Sequence, residues 1–294
     1  MSERAAPTPI DQAPIDRAPT DAAPTDAAPK PPRSALARWW DRRGFVNCLR
    51  WGAIIAFLGA WEGSSLAGWL DPLFASSPSL IVEKLWSMIA DGSIWPHVLA
   101  SANIAALGFG LSVLVGVPMG LAMGRSVAIR STLEPFTTAL NASPQVAFLP
   151  LLIIWLGIGI ASKVALVFLG SFLIMVINTE AGVAQVDRRL IETARSFMAN
   201  ERQIMLKVIL PSSLPYIIAG MRLGIGRTLV MVVVAEIYAA TKGLGYLIFQ
   251  AGGLYDTAQV FVGVVILAAA GIALNSFLRW LEKRLAPWQH VQAD

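Results

Sequence analysis

The sequence is short of charged side chains, which make up 14% of its 294 residues, whereas soluble domains usually carry about a quarter. Its single cysteine, Cys48, excludes an intrachain disulfide and a thiolate metal cluster. With only His97 and His290, it also lacks a histidine-rich metal site. No G-x-x-x-x-G-K-[ST] stretch occurs, so the chain has no phosphate-binding loop of that type. We therefore expect no enzyme, and neither a cofactor nor a metal on this chain.

Apolar residues dominate instead, at 55% of the chain. The formal charge of +4 would suit a nucleic-acid partner only if the basic residues were gathered on one face. They are spread between apolar runs, which is typical of the basic loops of a membrane protein. The composition thus favours a lipid membrane as the surroundings and argues against nucleic-acid binding.

Six segments approach the ~20 residues needed to cross the hydrocarbon of a bilayer. They lie near 51–70, 98–123, 134–157, 161–181, 215–239 and 258–280. If the N-terminus is cytoplasmic, the outside connections hold only Lys84, Lys163 and Lys242 of the 23 basic residues. The positive-inside rule then predicts an all-α membrane protein with six transmembrane helices and both termini inside (N-in/C-in).

The ends of the chain differ from this apolar part. Proline recurs every fifth residue from Pro9 to Pro29, which forbids a stable helix and predicts a disordered, Pro-rich tail. Arginines interleaved with Trp39 and Trp40 follow, as in a segment at the lipid headgroups. We therefore assign 1–44 to the tail and this basic interfacial segment, 45–285 to the six-helix domain, and 286–294 to a C-terminal tail.

Glycines and arginines inside the apolar segments each predict a local feature. Gly116, Gly120 and Gly124 form overlapping GxxxG patterns, and Gly220 and Gly224 form another, which predicts close helix packing. Arg222 and Arg227 are expected near the inner end of the fifth span, where long side chains reach water or loop acids.

The longest inside connection, residues 187–211, is patterned as two short helices, and we refer to it as the 187–211 loop. Asp187 is suited to cap a helix over 188–197, and Asn200 with Gln203 has the spacing of a capping box for a second. Leu210-Pro211 is expected to end that second helix. The residues alone leave two interpretations open: an amphipathic segment on the headgroups, or a helix inserted into a groove of a partner.

The 187–211 loop resembles the EAA loop of ABC-importer permeases, in which Glu-Ala-Ala is followed by a glycine four residues later, then by an aliphatic residue and Leu-Pro. The spacing is kept by Glu192-Thr193-Ala194, Met198, Val208 and Leu210-Pro211, although Thr193 replaces alanine and Met198 replaces glycine. Residues 45–285 are similar to permeases of the nitrate, sulfonate and taurine importers. The phrases that carry this similarity are Leu149-Pro150-Leu151, Trp155-Leu156-Gly157-Ile158-Gly159, Asn178-Thr179, Val234-Ala235-Glu236 and Gly243-Leu244-Gly245-Tyr246-Leu247-Ile248.

The resemblance implies a permease subunit in a bacterial cytoplasmic (inner) membrane, passing a small anion such as a sulfonate or nitrate. The implied partners are ABC ATPase subunits, which bind ATP and Mg²⁺, a periplasmic or extracellular solute-binding protein, and a second permease copy in a homodimer. The residues implied in ATPase coupling are Glu192, Thr193, Ala194, Arg195, Met198, Arg202, Val208, Leu210 and Pro211. The alternative is a channel or secondary transporter without an ATPase partner.

Met198 poses a specific question, since a turn with positive φ at the family's glycine position would strain a methionine. We expect Met198 to remain helical and packed, with the turn at Ala199-Asn200.

Polar residues in the spans are candidates for the translocation path. Pro144 and Pro150 bracket a stretch whose freed backbone groups need internal partners, and irregular helices often line cavities in transporters. The path candidates are Asn141, Ser143, Gln145, Asn178 and Glu236. Hydrogen bonding between helices is the other role open to them.

Overall fold

A computed structural model describes residues 43–286, which are helical and contain no β-strand in that range. The α-helices are α1 (Arg43–Leu66), α2 (Pro72–Ala75), α3 (Pro78–Ala90), α4 (Ile94–Arg125), α5 (Val127–Ala142), α6 (Leu149–Leu156), α7 (Ile160–Ala184), α8 (Arg188–Ser196), α9 (Glu201–Ile204), α10 (Leu210–Ala239), α11 (Leu244–Gly253) and α12 (Thr257–Leu285). A 3₁₀ turn, Gln145–Phe148, precedes α6, and a π turn, Met205–Ile209, joins α9 to α10. Except for residues 43, 44 and 286, the expected tails lie outside the described residues.

By its internal contacts the chain divides into two units, residues 1–56 and residues 57–294. The described part of the first unit is the N-terminal part of α1, whose side chains are exposed from residue 46 onward. The second unit holds the buried apolar residues on which α3 to α12 pack.

Within the described range, four helices are long and apolar enough to cross a membrane: α4, α7, the continuous 201–239 helix and α12. The count rises to five if the bent pair of α5 and residues 145–156 forms one span. The first expected span is not among them, because the α1 sequence interrupts its apolar run with Asn47, Arg50 and Glu62.

The third expected span is not one straight helix, because the chain bends by 95° between α5 and residues 145–156. Ser143 has an extended backbone, with φ −83° and ψ 143°. The residue before a proline is pushed out of the helical region, so Pro144 accounts for the break. The backbone then re-enters a helix through the 3₁₀ turn.

Helices α4, α7 and α10 form the packed centre of the second unit. The facing residues of α4 and α7 run in the same direction: Gly108 meets Val167, Gly116 meets Met175, and Gly124 meets Val183. The facing residues of α7 and α10 run in opposite directions, with Gly170 meeting Met231 and Gly182 meeting Tyr216. Helix α7 is therefore parallel to α4 and antiparallel to α10.

The predicted GxxxG face of α4 is the surface that approaches α7. A Cβ added at Gly120 would lie 2.6 Å from the Thr179 Cβ and 2.7 Å from the Val176 carbonyl oxygen. Since a backbone carbonyl cannot swing aside as a side chain can, even alanine would force the two helices apart. Close packing through small residues is thus built into this pair.

At the end of the bundle where α4 and α12 begin, an ion pair ties α3 to α12. The Lys84 ammonium donates to Asp256, which is the N-cap of α12, over 2.6 Å. Partial burial raises the pKa of Asp256, but the bonds from Lys84 and from the Gln259 amide outweigh it and hold the pKa below its usual range.

Candidate functional site

The first helix of the 187–211 loop begins where the sequence predicts. Asp187 has an extended backbone, and its carboxylate accepts the Arg189 amide over 2.8 Å, so the expected N-cap is confirmed. Thr193 and Ser196 return their hydroxyls to carbonyls one turn earlier, which leaves their backbone helical. Helix α8 ends at Ser196, one residue before the expected end.

The turn after α8 falls at Met198, and the expectation that Met198 stays helical is wrong. Its φ is 59°, in the left-handed region, and its side chain is 90% exposed rather than packed. The Met198 amide donates to the Arg195 carbonyl over 2.8 Å, and the Ala199 amide donates to the Ala194 carbonyl over 3.1 Å. These two bonds are a Schellman motif, which satisfies the last carbonyls of the helix but requires a left-handed residue at this position.

The second helix begins with the predicted capping box. The Asn200 side chain accepts the Gln203 amide over 2.8 Å, and the Gln203 side chain accepts the Asn200 amide over 2.9 Å. Two backbone donors that a helix start leaves unpaired are thereby satisfied. The sequence predicts where this helix begins because both partners of the capping box lie within three residues of each other.

The expectation that Leu210-Pro211 ends this helix is wrong, because the chain stays helical from Glu201 to Ala239. The π turn Met205–Ile209 lies immediately before Pro211, and the Leu210 amide reaches back five residues to Met205. A proline ring in an α-helix clashes with the carbonyl four residues earlier, and the wider π turn makes room for it. At 1.5 Å per residue, this 39-residue helix is about 58 Å long, against a hydrocarbon core of about 30 Å. The helix is therefore longer than a bilayer core is thick, and its first turns are continuous with its apolar part.

The inner face of the 187–211 loop is fixed to the bundle. Ile204 and Ile209 are buried with Val183 and Val186, at the end of α7. The half-buried side chains that complete this cluster are Leu121, Ile191, Ala194, Ala199, Met205 and Val208.

Charge adds a second attachment. The Glu201 carboxylate accepts hydrogen bonds from Arg125, the last residue of α4, and from Arg195 over 3.2 Å. One acid thus bridges α4 and both short helices of the loop, at an exposed site where such a pair contributes modestly. Arg195, one of the expected coupling residues, thus stabilises the loop itself.

The outer face of the 187–211 loop is open and partly apolar. Glu192, Thr193 and Arg202 are exposed, and the Glu192 carboxylate makes no hydrogen bond or ion pair within residues 43–286. Phe197 is 83% exposed beside Met198. Two large apolar side chains presented together at a strained turn are typical of a surface that another protein covers. The remaining coupling candidates, Val208, Leu210 and Pro211, are half-buried at the root of the loop.

Two of the path candidates lie beside one groove between α7 and α10. The Arg227 guanidinium donates to the buried Gln145 side chain over 2.6 Å, which ties α10 to the 3₁₀ turn. Arg227 and Asn178 both line a groove of about 450 Å³. Asn178 donates to the Ile174 carbonyl of its own helix over 2.8 Å, so its side-chain oxygen remains available. Asn141 and Ser143 lie at the end of α5, just before the bend.

The importance of Arg227 was missed because the fifth span was expected to begin near Pro215. The helix is already under way at Leu210, so Arg227 lies near its middle rather than near its inner end. Arg222, one and a half turns earlier, pairs with Glu282 of α12 over 3.3 Å. The signal that the sequence did carry is an arginine within an apolar span, which usually has a partner or a function.

Glu236 lies in a separate, enclosed cluster. Its carboxylate accepts the Ser101 hydroxyl over 2.7 Å and the Gly245 amide over 2.8 Å, and its side chain is fully buried. The Ser101 oxygen in turn accepts the Leu244 amide over 2.8 Å. A Cβ at Gly243 would overlap the carboxylate, so glycine is needed there. Glu236 therefore holds α4, α10 and the N-terminus of α11 together.

Comparison with known proteins agrees with this architecture. The family model of the binding-protein-dependent transport system inner membrane component matches residues 112–288. The chain is 36% identical to a taurine transport system permease protein of Escherichia coli (strain K12), over 81% of this chain and 88% of that protein. It is 34% identical to a putative aliphatic sulfonates transport permease protein of Bacillus subtilis (strain 168), over 85% and 90%. Among solved structures, an inward-facing conformation of the MetNI methionine ABC transporter matches with a TM-score of 0.56 at 17% identity, over 67% of this chain and 97% of that chain.

Proposed function

The chain belongs to the family of binding-protein-dependent transport system inner membrane components, the permease subunits of ABC importers, and from this we propose that it passes a small sulfonate across the bacterial cytoplasmic membrane. Permease subunits of this family are not enzymes. ATP and Mg²⁺ bind to partner ATPase subunits, a solute-binding protein delivers the cargo, and two copies of this chain form the conduit.

The observation that carries the proposal is the construction of the 187–211 loop. Its inner face is fixed to α4 and α7, and its second helix continues without a break into α10. Its outer face presents Glu192, Phe197 and Met198 to solvent. A partner that binds this outer face moves α10 directly. Coupling ATPase closure to a change in the conformation of the helix bundle requires such a connection.

The proposed topology has six spans with both termini in the cytoplasm. The four apolar helices and the bent pair account for five spans, and α1 is the sixth. Arg50 and Glu62 lie toward the two ends of α1, where charged side chains reach the interfaces. The distribution of lysine and arginine supports placing the 187–211 loop on the cytoplasmic side.

The proposed cargo is a small aliphatic sulfonate, as the names of the similar permeases suggest. The groove beside Arg227 supports this assignment, because a guanidinium presents paired donors to an oxyanion. Asn178 adds a polar group to the same groove.

The docking part of the proposal is tested by Glu192→Lys. We expect the variant to insert into the membrane normally but to lose most of its co-purifying ATPase, because a charge reversal at the gripped face leaves a repulsive contact. Glu83→Lys is the matched control, since Glu83 is also exposed but lies on α3, far from the loop in sequence. Unchanged ATPase recovery with Glu192→Lys contradicts the docking proposal.

A further inference from the structure

A cavity at the opposite end of the bundle from the 187–211 loop carries features that the coupling mechanism does not use. Its volume is about 210 Å³, and it is lined by Ala100, Asn103, Ile104, Ile160, Lys163, Thr241 and Lys242. Lys163 lies in the first turn of α7, and Lys242 lies just beyond α10. Helix α7 spans about 37 Å with its 25 residues, so the cavity and the loop are separated by the length of a membrane-spanning helix.

Lys163 is the unusual member of this cavity. Its side chain is only 8% exposed, yet it makes no hydrogen bond or ion pair within residues 43–286. The Glu236 carboxylate is bonded by Ser101 and Gly245 instead. The ammonium itself is not among the buried unpaired atoms, so it is reachable from the cavity while the rest of the side chain is enclosed. An anion that enters the cavity can therefore pair with it directly.

The rest of the lining also suits an anion. It contains two lysines, an asparagine and a threonine, and no carboxylate. Ile160 is the first residue of α7, so the positive end of that helix dipole lies at the same place. These groups converge from α4, from α7 and from the segment that follows α10, so the cavity is built from three separate parts of the chain.

We propose that this cavity binds a small oxyanion between Lys163 and Lys242, as the first site that a sulfonate meets in the permease. The inference rests on the proposed function for the identity of the cargo. A free inorganic oxyanion such as sulfate shares the same chemistry and competes for the site.

The test uses the purified permease–ATPase complex in nanodiscs without the binding protein. Equilibrium binding of labelled ethanesulfonate is measured for the natural chain and for Lys163→Gln, Lys163→Arg and Lys283→Gln. Lys283 is an exposed lysine in the last turn of α12 and controls for the loss of one positive charge. We expect Lys163→Gln to weaken binding by about tenfold or more, which is ~1.4 kcal/mol, Lys163→Arg by less than about threefold, and Lys283→Gln not at all.

Competition and folding controls complete the test. Sulfate is expected to displace ethanesulfonate from the natural complex, and ethanolamine, a cation, is not. Recovery of the ATPase with each variant shows that the complex has assembled, and Lys163→Arg keeps the proposal testable if Lys163→Gln fails to assemble.

Three results overturn the proposal: equal affinity of the natural chain and Lys163→Gln, no saturable binding to the natural chain, or binding of sulfate without ethanesulfonate. A further contrary result is that Lys163→Gln weakens docking of the loaded binding protein but leaves ethanesulfonate binding unchanged. The occupant is then a carboxylate of that protein. If ATP-driven uptake by the natural complex is intact, these results refute only the cavity assignment, whereas absence of that uptake refutes the proposed function.

Discussion

Replacing Met198 by glycine is expected to stabilise the turn of the 187–211 loop in the isolated permease. A residue with a Cβ in the left-handed region costs about 1–2 kcal/mol, and glycine avoids this cost but has the more flexible unfolded chain, a penalty of about 0.4–1 kcal/mol. The net gain is about 0.5–1 kcal/mol, which lowers the population of the locally opened loop by a factor of about two to five. The exposed Met198 side chain makes little packing to lose.

The assay is hydrogen–deuterium exchange of peptides covering residues 190–204, which include the Ala199 amide bonded to Ala194. Met198→Ala is the matched control, because it removes the long side chain but keeps the Cβ and its strain. Exchange is expected to slow for Met198→Gly and to stay close to the natural rate for Met198→Ala. Equal or faster exchange for Met198→Gly refutes the strain at this turn.

The same two variants are expected to behave alike toward the ATPase. Burial of a methionine side chain in a partner contributes about 1.5–3 kcal/mol, so both variants should bind the ATPase about tenfold more weakly or worse. Titration of the ATPase onto permease in nanodiscs measures this. If both variants keep the natural affinity, the exposed methionine is not part of the docking surface.

Three further predictions concern other contacts. Glu201→Gln should speed exchange in the 187–211 loop by about two- to fivefold, because it removes a charge shared between two arginines at an exposed site; unchanged exchange speaks against that bridge. Gly120→Ala should lower the midpoint of thermal unfolding and the yield of folded protein, whereas Gly110→Ala, whose Cβ meets nothing within 4 Å, should change neither; equal behaviour contradicts the close helix contact. The lowered pKa of Asp256 contributes stability that is present above its usual range and lost as the pH falls through the folded value. Thermal midpoints should therefore fall from about pH 6 to about pH 3 less steeply in Asp256→Asn than in the natural chain, and parallel curves contradict a stabilising pair with Lys84.

The features that could be predicted from the sequence depend on neighbours in the chain. The Asp187 cap and the Asn200–Gln203 capping box each involve residues within three positions, so local chemistry determines them. Small residues at every fourth position of α4 predict a close contact, although the sequence does not say that α7 fills it. Long apolar runs predict the spanning helices for a similar reason, since each must satisfy its backbone internally.

The features that could not be predicted depend on contacts far along the chain. Whether the turn falls at Met198 or at Ala199 is decided by burial of Ile204 and Ile209 against the end of α7, which fixes where the second helix lies. The same packing keeps the chain helical through the π turn and past Pro211. The free energy gained by this packing outweighs the conformational penalty of a single residue such as Met198 or Pro211.

Glu236 illustrates the same limit. Its partners, Ser101 and Gly245, lie 135 and 9 residues away, and only the first tie reaches another spanning helix. A glutamate in an apolar run is energetically unfavourable without a partner, so the sequence indicates that a partner exists. It does not indicate which residue that partner is.

The most direct test of the account is uptake of labelled taurine into proteoliposomes that contain this permease and its ATPase, with the binding protein outside. We predict accumulation against a gradient that requires ATP and the binding protein, and that Glu192→Lys abolishes. Taurine movement that needs neither ATP nor the binding protein, and that Glu192→Lys leaves intact, contradicts the account and favours a channel or secondary transporter.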